Sequence, residues 1–187
     1  MLGKKLRDVP TGTPGVYCFY DLDDTPAYAG QSSDIRSRLR QHLVRQDSSV
    51  VSYGRLDVWD ISRLEWWETS DKDVSEEALL HERAPYLNFG DGSKSAVQNA
   101  PISLEHPDGE VRLLSQEEQE FREEPYTRSK QKLEHISRML DKIKLAGHSA
   151  STKRTLYEHQ RILQTNIAEF LDLDESEQVN FEYSFDE

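Results

Sequence analysis

The amino-acid sequence predicts an α+β fold: a small three-stranded antiparallel sheet flanked by helices, followed by a C-terminal helical hairpin. Three observations lead there. Residues 14–42 hold two short runs rich in Val, Tyr, Phe and Cys on either side of an acidic turn, and a helical pattern follows at once. Residues 55–70, RLDVWDISRLEWWETS, supply a third strand. From 126 onward, apolar residues recur at alternating steps of three and four, the spacing of helices that pack on one another.

Taken in order, residues 1–13 read as a lead-in segment whose Lys4, Lys5 and Arg7 are solvated and whose end frays. The hairpin places Gly15-Val16-Tyr17 and Tyr28-Ala29-Gly30 on its two strands around the turn Asp21 to Pro26. Pro14 fits only where the first strand begins, because it has no amide to donate. Gly15 and Gly30 lie at strand ends, where backbone freedom or the close approach of another group is useful. Ser32 or Ser33 is placed to cap the next helix, with Asp34 at its positive end. That helix is expected to run to about Val44, with Ile35, Leu39 and Leu43 as its buried stripe and Arg38, His42 and Arg45 together on a neighbouring face.

Residues 46–53 read as a loop or short turn. The two tryptophans at 66 and 67 read as core rather than as platforms for a base. Ser70 with Asp73 has the form of a capping box before a helix that reaches about Arg83, where Pro85 stops it. Beyond Asn88, FGDGSKSAVQNAP is polar and rich in glycine, and ISLEHPDGEVRLL reads as a hairpin turning at Pro107-Asp108-Gly109. Ser115 and Glu118 form a second capping box, opening a charged helix that Pro125 interrupts. The helix over 126–146 carries the seam Leu133, Ile136, Leu140 and Ile143 and ends at Gly147. Its partner over 151–171 turns Leu156, Leu163, Ile167 and Phe170 inward. The expected organisation is a core at 1–90, a loop and hairpin extension at 91–114, a helical hairpin at 115–172 and an acidic tail at 173–187.

Composition narrows the class. With 187 residues the chain can bury a sizeable core and carry an appendage. No run of eighteen apolar residues is present and the N-terminus lacks the apolar stretch of a signal peptide, so a soluble, cytoplasmic protein without membrane contact is expected. The single cysteine, Cys18, excludes an internal disulfide and a cysteine-built zinc site. The net charge of -12 is unusual for a protein that grips DNA, but it is unevenly spread. Glu169 to Glu187 contain eight acids and no base, whereas Arg36, Arg38, Arg40 and Arg45 crowd around one helix. A local basic groove is compatible with an acidic whole.

In this combination and order, Tyr17 in the first tripeptide, Tyr28 in the second, Arg38 ten residues later and His42 one helical turn beyond resemble the GIY-YIG nuclease superfamily. A second match lies downstream, where Glu76, Leu79-Leu80, Pro85 and Asn88 follow the family's spacing of glutamate, apolar pair, proline and asparagine. The likeness covers about residues 10–90. Ala29 stands where the family usually has Ile or Val, and Gln31 where its repair members carry lysine.

The resemblance implies a divalent-metal-dependent DNA endonuclease, of either repair or restriction type. Tyr17 would be the base that activates water, Tyr28 would hydrogen-bond water or phosphate, Arg38 would neutralise developing charge, and His42 would contact phosphate or shuttle a proton. Glu76 would hold one Mg²⁺ or Mn²⁺ ion per active site, with Glu77 as the one-off alternative, and Asn88 would fix the loop beside it. Gln31, Arg36, Arg40 and Arg45 are the candidate DNA contacts. A restriction-type enzyme would be a homodimer, with the helical hairpin as one candidate interface. That hairpin is equally open to reaching around DNA or binding another protein. The alternative from a different class is a catalytically weak module of the same fold that acts by binding protein or nucleic acid.

Overall fold

A computed structural model describes residues 2–88, 100–147 and 149–173. The acidic tail from 174 and the polar stretch 89–99 lie outside these residues. Two compact units are present, Met1–Gln119 and Glu120–Glu187.

The first unit is built on a four-stranded antiparallel sheet in the order β2-β1-β3-β4: β1 Gly15–Asp21, β2 Pro26–Ser32, β3 Ile61–Glu68 and β4 Gly109–Arg112. The fourth strand corrects the expectation of three. Of the hairpin expected around Pro107–Gly109, only the second limb is a strand, pairing Leu64 with Val111. The first limb is held as a turn because the Trp67 indole donates to the Ser103 carbonyl and the Glu68 amide donates to Asp108. Its ladder edge is thereby replaced by side-chain anchors.

β1 is central and buried along its whole length. Alternation divides its side chains between two cores. Tyr17 and Phe19 join Leu6, Val9, Ile35, Leu39, Leu43 and Trp66 on one face. Val16, Cys18 and Tyr20 join Ala29, Trp67, Leu79 and Leu80 on the other. Both tryptophans at 66 and 67 are core, as expected. The lead-in is not frayed: α1 (Leu2–Lys5) precedes Leu6 and Val9, which are fully buried, and the Arg36 guanidinium clasps the carbonyls of Arg7 and Val9.

The β1–β2 turn is tied by Asp21 Oδ1, which accepts from the amides of Asp23 and Thr25, while Asp24 takes a left-handed φ of 57°. Helix α2 (Ile35–Arg40) is capped by Asp34, whose carboxylate accepts from the Ser37 amide at 3.0 Å. Ser32 instead accepts from the Asp34 amide, so the cap sits one or two residues later than expected. The helix continues as a π turn over Gln41–Arg45, a wider turn that brings His42 and Leu43 inside side by side. The segment read as a loop contains the one-turn helix α3 (Ser49–Ser52), capped by Ser48. Helix α4 (Lys72–Arg83) starts at Asp71 without a side-chain cap, so the Ser70/Asp73 capping box does not form.

α5 (Gln116–Glu123) opens with the expected bond from the Glu118 amide to Ser115. In the second unit, α6 (Pro125–Ala146) and α7 (Ala150–Phe170) pack on each other as a helical hairpin. The expected stripe has the right period and only partly the right phase: Ile136, Ile143, Leu156, Leu163 and Ile167 are half-buried. The buried positions are Arg128, Ser129, Lys132, His135 and Met139 on α6, and Thr155, His159, Asn166 and Ala168 on α7. Leu133 and Leu140 are 52% and 49% exposed, and Phe170 is 51% exposed. Long basic side chains bury their stems and histidines pack edge to face, as the His135 and His159 rings do at 4.5 Å, so hydrophobicity alone misjudges which face turns inward.

Candidate active site

Tyr17 reaches the site from the middle of β1, where it is 1% exposed. It pairs with Gly30 across the β1–β2 ladder, and its ring lies over that glycine. A Cβ on Gly30 would stand 2.6 Å from the Tyr17 hydroxyl oxygen and 2.9 Å from Cζ. Only glycine leaves room, which is the physical reason for a glycine at the end of the second tripeptide.

The Tyr17 hydroxyl and His42 Nε2 are 2.7 Å apart, and His42 Nδ1 is 2.8 Å from Ser48 Oγ. All three residues are buried. Burial lowers the histidine's pKa to about 3, with Arg38 adding to the effect, so the imidazole is neutral at ordinary pH. Burial also raises the Tyr17 pKa far above that of a free phenol. The neighbouring Tyr28 and the Glu76 charge act in the same direction, and the Arg38 guanidinium pulls the other way. Tyr28 is half-buried, with its ring edge-on to His42 at 6.0 Å and stacked on Phe19 at 6.5 Å. Arg38 is half-buried and donates to Gln41 at 3.0 Å.

Glu76 sits mid-way along α4. Gln31, the residue after Gly30, faces it and donates from Nε2 to Glu76 Oε2 at 2.8 Å and to Asp73 Oδ1 at 2.7 Å. The two carboxylates are one helical turn apart on the same face. Carboxylate oxygens are the ligands that Mg²⁺ and Mn²⁺ prefer, so the donor set at Glu76 fits a hard divalent cation. Among the described residues no three His, Cys, Asp or Glu side chains cluster as a metal cage. A cation on Glu76 would therefore fill its shell with water and phosphate.

Asn88 acts on the backbone. Its Oδ1 accepts from the Ala29 amide at 2.8 Å and its Nδ2 donates to the Ala29 carbonyl at 2.9 Å, the pair of bonds a ladder neighbour would make. With Leu87 and Tyr86 bonded to Ala27 and Pro26, it seals the outer edge of β2. Of the candidate DNA contacts, Gln31 is turned to the two acids and Arg36 to the lead-in carbonyls. Arg40 and Arg45 are exposed, Arg45 lying 3.8 Å from Asp47.

Two residues of this arrangement are absent from the motif reading. Ser48 lies in a segment without periodicity, and Asp73 was spent on a capping box. An N-cap serine ahead of a short apolar run was the one available signal for Ser48.

Comparison with known proteins points to the same stretch of the chain. Residues 13–85 match the model of the GIY-YIG catalytic domain. The UvrABC system protein C of Acidobacterium capsulatum is 29% identical over 89 residues, 46% of this chain and 14% of that protein. Excinuclease cho of Escherichia coli K12 and of Shigella flexneri are each 34% identical over 87 residues, 44% of this chain and 27% of theirs. The chain thus spans under a third of the length of these relatives. No solved structure matches it significantly. Residues 13–85 of this chain thus match the GIY-YIG catalytic domain, with homology to the UvrC and Cho proteins.

Proposed function

We propose that this domain makes the protein a divalent-metal-dependent DNA endonuclease that hydrolyses phosphodiester bonds. The observation that carries the reading is the buried Tyr17–His42 pair beside Arg38, with Glu76 close enough for its charge to be felt at the Tyr17 hydroxyl. Tyr17 acts as the base in its anionic form, which the Arg38 guanidinium favours against the effect of burial. Arg38 neutralises charge that builds on the phosphoryl oxygens, and Tyr28 orients water or phosphate from the rim. Glu76 holds one Mg²⁺ or Mn²⁺ ion, whose contribution when bound is to polarise a phosphoryl oxygen and support the leaving oxygen. Asn88 keeps β2, and with it Tyr28 and Gly30, in register under Tyr17.

The Cho relatives bear the name excinuclease, which supports a repair role and recognition of DNA by its shape over a restriction role. A homodimer through the helical hairpin belongs to the restriction reading, and the mass in solution by light scattering tests it. The function itself is tested with supercoiled plasmid and Mg²⁺ or Mn²⁺. Cutting by the parent that is lost in Tyr17→Phe and in Glu76→Ala is expected. Metal-independent cutting, or cutting that both variants retain, refutes the mechanism. A parent that binds DNA without cutting it would favour the binding-module alternative.

A further inference from the structure

We infer that Gln31 and Asp73 are positioning residues for Glu76: Asp73 anchors the Gln31 amide, and the amide in turn holds the Glu76 carboxylate still for the cation. The inference rests on the metal role proposed for Glu76, while the contacts that carry it stand by themselves.

The strand register sets up the meeting. Gln31 pairs with Val16 across the β1–β2 ladder, and directly opposed residues turn their side chains to the same face. Val16 packs with Leu79 and Leu80 of α4, so the Gln31 side chain comes up beside that helix. Asp73 and Glu76 are three residues apart on α4 and are neighbours on its surface. Gln31 Nε2 lies 2.7 Å from Asp73 Oδ1 and 2.8 Å from Glu76 Oε2. An amide nitrogen carries two hydrogens and accepts none, so each carboxylate receives one of them. Against ionised carboxylates the reversed amide would bring three acceptor oxygens together with no hydrogen among them. The network has one assignment.

Two bonds do what one would not. A glutamine side chain is rich in rotamers, and a single hydrogen bond leaves its terminal amide free to turn. The bond to Asp73, which is exposed, removes that freedom and so supports the inner bond between the half-buried Gln31 and Glu76. A carboxylate that is itself hydrogen-bonded binds a metal more tightly, because its orientation is settled before the ion arrives. The amide is also neutral, so it directs the Glu76 carboxylate without cancelling its charge. That charge acts at the Tyr17 hydroxyl, which ties the pair to the reacting face.

Mn²⁺ titrated into the ¹⁵N-labelled full chain without DNA broadens the amide signals near the ion, and the backbone amide of position 31 reports its affinity at Glu76. Glu76→Ala serves as the reference for ions held elsewhere on this acidic chain. Gln31→Ala is expected to weaken Mn²⁺ binding about tenfold, and Asp73→Ala by a smaller factor. Asp73→Ala and Asp73→Asn remove the same charge, but the asparagine oxygen can still accept from the Gln31 amide. Asp73→Asn is therefore expected to bind Mn²⁺ about threefold more tightly than Asp73→Ala, and equal affinities would overturn the positioning role of Asp73. An affinity in Gln31→Ala that is unchanged, or raised because the two carboxylates then take the ion together, would overturn the inference as a whole. So would a parent whose position-31 signal Mn²⁺ leaves sharp. A parent that binds Mn²⁺ here, shows the expected order of variants and leaves plasmid DNA intact would defeat the nuclease reading and uphold the positioning.

Discussion

Tyr17 and Tyr20 stand three residues apart on β1, on opposite faces of the sheet, and both are buried. Tyr20 donates to Glu65 at 2.6 Å, Arg63 holds the same carboxylate at 2.8 Å and lies 3.6 Å over the Tyr20 ring, and Arg83 approaches from 3.9 Å. That face is a closed network in which every charge meets its opposite. Tyr17 meets a neutral histidine whose other nitrogen rests on a hydroxyl, with one guanidinium beside it. Burial raises the pKa of both phenols far above the free value. The difference lies in the partner: a carboxylate locked by two arginines on one face, an uncharged imidazole backed by a serine hydroxyl on the other.

The sharpest way to break this comparison is to remove each hydroxyl. Tyr17→Phe is expected to lower the cutting rate by about 10³-fold and, since His42 Nε2 loses its buried partner, to cost about 1–3 kcal/mol of stability. Tyr20→Phe should leave the rate alone and cost about 1–3 kcal/mol of stability, since Glu65 loses a buried donor. Plasmid cleavage and thermal melts on the two variants check both halves, and a rate loss in Tyr20→Phe would erase the distinction. Gly30→Ala probes the same face at one remove. The new methyl displaces the Tyr17 hydroxyl, and a cutting rate about 10²-fold lower is expected.

On the closed face, Arg63→Met leaves Glu65 short of its main counter-charge. A loss of about 3 kcal/mol in urea unfolding is expected, with the cutting rate unchanged.

The histidine makes the active face sensitive to acid. His42 has a folded pKa near 3, below its unfolded value of about 6.5, so its contribution to stability is complete above pH 6.5 and is lost as the pH falls toward 3. Between pH 7 and pH 4.5 this group alone should account for about 2–3 kcal/mol, seen as a smaller drop in unfolding free energy for His42→Gln than for the parent. The smallest effect concerns Gln31. Gln31→Lys would place an ammonium between Asp73 and Glu76, and the Mg²⁺ concentration for half-maximal cutting should rise about tenfold. A melting temperature close to that of the parent would separate this effect from misfolding.

Much of the active face was legible because its residues obey local rules. The acidic turn marked the hairpin, and the spacing from Tyr28 to Arg38 to His42 and from Glu76 to Asn88 carried the family likeness. The helical hairpin shows where such rules stop. Heptad spacing reports a period and leaves the phase to whatever packs against it, so Leu133 and Leu140 were expected inside and Lys132 and His135 are found there.

By itself the sequence determined the α+β class, the β1–β2 hairpin, the longer helices and the identity of the chemical groups, since propensity, alternation and turn chemistry act over a few residues. Tertiary structure alone decided the fourth strand, the burial of the lead-in under Arg36, the union of Gln31 with Asp73 and Glu76, and the meeting of Ser48 with His42. Each of these joins residues through space, and hydrogen bonds made that way leave no periodic trace along the chain.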